Sequence, residues 1–95
     1  MSYVNLYRML EEAKKEKYAV GAFNIVDYST VKAVIKAAEG KKSPVIIQTS
    51  AKTVQYYGYR PIVQWVRTLA EDASVPVALH LDHCNDIGMI MKCIK

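Results

Sequence analysis

The sequence predicts an α/β fold in which a parallel sheet is covered by helices. Three observations carry that prediction. Short apolar runs alternate along the chain with amphipathic segments of helical period. The apolar runs are nearly continuous rather than alternating with polar residues, as in strands covered on both faces. The order reads helix, then strand-helix repeated, and parallel strands need crossovers long enough to hold a helix. A doubly wound open sheet and a (β/α)8 barrel both fit this order, and both bind ligands beyond the carboxyl ends of their strands.

Each element has its own signal. Asn5 to about Lys17 predicts a helix, with Asn5 as N-cap and Leu6, Met9, Leu10 and Ala13 on one apolar face. Tyr18 to Phe23 predicts a buried first strand. Asp27 to Glu39 predicts a second helix with Val31, Val34, Ile35 and Ala38 inward, Asp27 or Ser29 as cap, and Gly40 in the place of a C-cap glycine. Pro44 opens a second buried strand, Val45 to Ser50. Ala51 to Tyr57 predicts one or two helical turns closed by Gly58. Pro61, at the first helical position, begins a long helix to about Ala73 whose apolar face is Ile62, Val66, Leu69 and Ala73, with Val63 and Ala70 alongside. Val77 to about Leu81 is the third strand. Asn85 or Asp86 then caps a last helix with Ile87, Ile90, Met91 and Ile94 on one face.

Composition narrows the class. The 95 residues allow one small domain with no internal boundary, and 52% hydrophobic with 23% charged residues is the balance of a globular chain. No apolar run reaches the length of a membrane span, and the N-terminus lacks the pattern of a secretory signal, which together predict a cytoplasmic protein with no membrane partner. Cys84 and Cys93 are spaced neither as a disulfide framework nor as a zinc knuckle, and are read as thiols. The net charge of +4 comes largely from Lys14, Lys15, Lys17, Lys41 and Lys42, at predicted helix ends where cations complement the dipole. Without aromatic residues interleaved on one basic face, no nucleic-acid surface is predicted. No G-x-G-x-x-G turn follows either of the first two strands, which disfavours a dinucleotide site.

The predicted strand ends carry Phe23-Asn24, Gln48-Thr49-Ser50 and His80-Leu81-Asp82-His83. All three are polar, and a parallel sheet brings them to one end. Alternation along the third strand sends Val77, Leu79 and Leu81 to one face and Ala78, His80 and Asp82 to the other. Imidazole suits zinc and similar divalent cations, and a nearby carboxylate can act as general base. The bland readings are a hydrogen-bonded core histidine for His80, a turn residue for Asn24 and a helix cap for Ser50. The Tyr56-Tyr57-Gly58-Tyr59 run reads as surface packing.

Three stretches, Ala19-Val-Gly-Ala-Phe-Asn24, Ser43-Pro-Val-Ile-Ile-Gln-Thr-Ser50 and Val75-Pro-Val-Ala-Leu-His-Leu-Asp-His-Cys84, resemble the class II, metal-dependent ketose-bisphosphate aldolases in order and spacing. The resemblance covers essentially the whole chain. It implies a TIM barrel, in a homodimer or homotetramer. It implies reversible cleavage of fructose or tagatose 1,6-bisphosphate to dihydroxyacetone phosphate and glyceraldehyde 3-phosphate. It places a zinc ligand at His83 and the carboxylate that handles the C4-hydroxyl proton at Asp82. Substrate contacts fall at Asn24, Ser50 and Gln48, with Ser50 near a phosphate. His80 falls at a polar position of less definite duty.

Zinc would stabilise the enediolate as a Lewis acid, so no Schiff-base lysine is required. A complete barrel needs about 250 residues. The family's remaining zinc ligands, its second acid/base, its phosphate loops and its monovalent-cation site are expected beyond residue 95. Two alternatives stand beside this expectation. One is a truncated, non-catalytic barrel piece; the other is a different metal-dependent phosphosugar lyase on the same scaffold.

Overall fold

The computed structural model describes residues 3–82 and 87–94. Three parallel strands, β1 (Gly21–Asn24), β2 (Val45–Ser50) and β3 (Val77–Asp82), form one sheet in the order β1-β2-β3. Around them run α1 (Leu6–Glu16), α2 (Tyr28–Lys41), α3 (Ala51–Tyr57), α4 (Tyr59–Glu71) and α5 (Ile87–Ile94). Among the described residues no helix is long and apolar enough to cross a membrane.

The two faces of the sheet have different neighbours. Val45, Ile47 and Val77 point to α2 and α4 and build the main core with Val31, Ile35, Val66 and Ala70. Ile46 and Ala78 point the other way and meet Met9 of α1, with Leu6, Val4 and Val20 beside them. The first helix therefore covers the amino-terminal half of the second face. Residues just before it add to the sheet: Tyr3 bridges Val77 in parallel, and Val4 N–H donates to the Val77 carbonyl at 2.8 Å. Burial raises the Tyr3 phenol above its ordinary value, against the opposing pull of Arg67, whose guanidinium lies 5.7 Å from the ring.

Helix ends follow local chemistry. Asn5 Oδ1 accepts from the Tyr7 and Arg8 amides. Asp27 and Thr30 form a reciprocal capping box at the start of α2, the Thr30 amide donating to Asp27 Oδ1 at 2.8 Å. Both α1 and α2 end on a left-handed lysine, Lys17 and Lys42. The amide after each reaches back five residues, Tyr18 to Ala13 and Ser43 to Ala38, at 3.0 Å.

Three expectations need correction. The first strand is neither buried nor as long as expected: it begins at Gly21, and all four of its residues are exposed. Among the described residues β1 is a sheet edge, hydrogen-bonded to β2 alone, and Phe23 keeps 52% of its surface. Gly40 does not end α2. It lies inside the helix, and Lys42 takes the left-handed position. A Cβ at Gly40 would meet nothing within 4 Å. Gly40→Ala is therefore expected to stabilise the fold by about 0.5–1 kcal/mol, read as a higher urea midpoint.

Pro61 is the third residue of α4, not the first. Gly58, at φ 85° and ψ 158°, turns the chain from α3 directly into α4 and leaves no linker between them. Pro61 still stands in the first turn, where its missing N–H costs no helical bond. The Gly58 conformation belongs to a region essentially restricted to glycine. Gly58→Ala is expected to destabilise by about 1–3 kcal/mol, measured by the same unfolding curve. Its Cβ would find only Pro61 Cδ, at 3.7 Å, so the cost is conformational rather than steric.

α5 forms where the helical period predicted it. Ile87 and Met91 of its apolar face are 76% and 50% exposed, and Ile90 is partly covered, beside Leu79, Leu81 and Ile62. The expected cap residues, Asn85 and Asp86, lie outside the described residues.

Candidate active site

The parallel register gathers the polar strand ends. Asn24 pairs with Gln48, and Gln48 pairs with His80, so one row of the sheet reads Asn24-Gln48-His80 across three strands. The next row holds Ser50 beside Asp82. All five alternate in phase with Ile46 and Ala78, on the face that α1 covers only at its amino-terminal half. That face is therefore apolar and plugged at one end and polar at the other.

Burial across the site is graded. Asn24 is exposed, whereas Gln48, Ser50, His80 and Asp82 are half-buried. Gln48 Nε2 lies 3.3 Å from His80 Nδ1. Ser50 serves as the N-cap of α3: its Oγ accepts from the Thr53 amide at 3.4 Å and lies 3.3 Å from Thr53 Oγ1. Thr49, between the two polar positions, points to the helical side and is 4% exposed.

The sequence reading placed Asn24, Gln48, Ser50, His80 and Asp82 at one end, and the structure brings these five together. His83, the metal-ligand assignment, lies outside the described residues. The donor types on the site suit a divalent cation, one imidazole and one carboxylate. A catalytic zinc takes three protein ligands, and no group of three His, Cys, Asp or Glu gathers among the described residues.

What the sequence reading missed is the Gln48–His80 pairing. A signal for it was present. Pro44 and Pro76 each stand just before a strand, and aligning them places Gln48 opposite His80, the same 32 positions apart.

Comparison with known proteins gives this arrangement a family. The model of the class-II fructose-bisphosphate aldolases matches residues 4–95. The chain belongs to that family. It is 43% identical over 95 residues to a sulfofructosephosphate aldolase of Alkalicoccus urumqiensis, covering 100% of this chain and 33% of that protein. It is 46% identical over 86 residues to a fructose-bisphosphate aldolase of Geobacillus stearothermophilus, covering 87% and 30% respectively. The fold matches the crystal structure of the YdjI aldolase of Escherichia coli K12 with a TM-score of 0.83 at 28% identity, over 97% of this chain and 36% of that one. The chain thus spans about a third of the length of these relatives.

Proposed function

We propose that this chain is the amino-terminal part of a single (β/α)8 barrel that cleaves a ketose 1,6-bisphosphate, fructose or tagatose, by a class II aldol mechanism. The observation that carries the proposal is the gathering of Asn24, Gln48, His80, Ser50 and Asp82 on one half-buried polar face at the carboxyl end of a parallel sheet. Sulfofructose phosphate is the alternative substrate, because the relative matched over all 95 residues bears that name. The products would be dihydroxyacetone phosphate and an aldehyde.

In cleavage the C3–C4 bond breaks and its electron pair stays on C3 as an enediolate, while C4 becomes a carbonyl carbon. The C4-hydroxyl proton must leave as that carbonyl forms. In this reading the Asp82 carboxylate takes it and, in condensation, returns it. Asn24, Gln48 and Ser50 orient the sugar. His83 would supply one ligand to a divalent cation, zinc by preference, and such a cation when bound supplies Lewis-acid stabilisation of the enediolate.

The test is cleavage of fructose and tagatose 1,6-bisphosphates by the full-length protein before and after chelation. Activity is expected to disappear with the metal and return with zinc. Full activity after exhaustive chelation would refute the metal mechanism, and inactivity of the zinc-loaded protein on every phosphorylated ketose offered would refute the aldolase reading.

A further inference from the structure

One contact on the polar face joins an amide to an imidazole, and its direction depends on the imidazole tautomer. Gln48 Nε2 is a donor, and it faces His80 Nδ1 at 3.3 Å. A donor aimed at Nδ1 needs a lone pair there, which leaves the single proton of a neutral imidazole on Nε2. Backbone geometry supports the pairing. Gln48 sits on the central strand, held by ladders to β1 and β3, and Gln48 and His80 are direct register partners. Both side chains are half-buried, so water competes weakly for the contact.

We propose that Gln48 is a positioning residue that holds His80 as the Nε2–H tautomer. His80 then presents a fixed hydrogen-bond donor at the strand-end face, rather than a metal ligand or a general base. The group it suits is an acceptor oxygen of a phosphorylated ketose: a ketone, hydroxyl or phosphate oxygen. The identity of that oxygen's owner rests on the aldolase reading; the tautomer rests on the Gln48 contact alone.

The ring nitrogens give a direct test. In the uniformly ¹⁵N-labelled full-length protein at pH about 8, above the ordinary imidazole value, long-range ¹H–¹⁵N correlation reports which ring nitrogen is protonated. His80→Gln assigns the signals. The expected result is a pyrrole-type Nε2 and a pyridine-type Nδ1 for His80. Gln48→Glu offers a carboxylate acceptor instead, and is expected to reverse the tautomer to Nδ1–H. A pyrrole-type Nδ1 in the unsubstituted chain would overturn the proposal, and that arm needs no variant to fold. A ring spectrum unmoved by Gln48→Glu would overturn it too.

Kinetics of the full-length protein then test the donor role. Gln48→Glu is expected to lower kcat about 10–100-fold, the usual loss when a partner that orients a functional imidazole is changed. A reversed tautomer with unchanged kcat would remove His80 from the reaction. An inactive parent protein would sink the aldolase reading, while the ring spectrum decides the tautomer by itself.

Discussion

Asp82→Asn is expected to lower kcat for ketose-bisphosphate cleavage by the full-length protein about 10²–10⁴-fold, the contribution of a well-placed general base. The substitution keeps the side chain's size and shape but removes its ability to take up a proton. Asp82 ends β3 beside Ser50, on the polar half of the sheet face. It is half-buried and takes part in interactions within the fold, so the isosteric change is preferred to alanine. Metal content, read by elemental analysis, is expected to stay at the parent level, because the proposed ligand is His83. Loss of metal together with activity would instead make Asp82 a ligand. A kcat within a few-fold of the parent would remove it from the proton transfer.

The second large effect concerns stability. Ile47→Ala is expected to destabilise the fold by about 2–5 kcal/mol. Ile47 sits in the middle of the central strand at 0% exposure, in the cluster with Val31, Ile35, Val66 and Val77. Two helices and two neighbouring strands surround it, and none of them can relax fully into the space left by three carbons. Small domains are stable by about 5–15 kcal/mol, so the loss is a large share of the total. Ile47→Val should cost about 0.5–1.5 kcal/mol. Phe23→Ala removes a larger side chain but should cost less than Ile47→Ala, because half of Phe23 already faces water. Urea midpoints of the three variants give the order directly, and equal shifts for Ile47→Ala and Phe23→Ala would contradict the assignment of the core.

Much of this architecture was legible because local chemistry specified it. Pro44 and Pro76 each stand one residue before an apolar run, and β2 and β3 start at Val45 and Val77. Asn5 and Asp27 cap the helices they were expected to cap. The inward faces of α2 and α4 follow the helical period, with Val31, Ile35, Ile62 and Val66 buried. The misreadings share one cause. Gly40, Pro61 and Phe23 were read from the habits of their residue types, and each was overruled by its surroundings. Lys42 takes the left-handed position two residues beyond Gly40. Gly58 starts α4 ahead of Pro61. β1 lies at an edge that sequence alone does not reveal.

By itself the sequence determined the alternation of strands and helices, the parallel sense of the sheet and the polar chemistry at each strand end. These follow from side-chain period, capping and crossover length, which are properties of neighbouring residues. Only the tertiary structure decided the uncovered edge and which polar groups meet. The Gln48–His80 contact is the clearest case. It joins residues 32 positions apart through a backbone ladder; the two prolines mark matching strand starts, but only the folded sheet makes those strands neighbours and brings the side chains into contact.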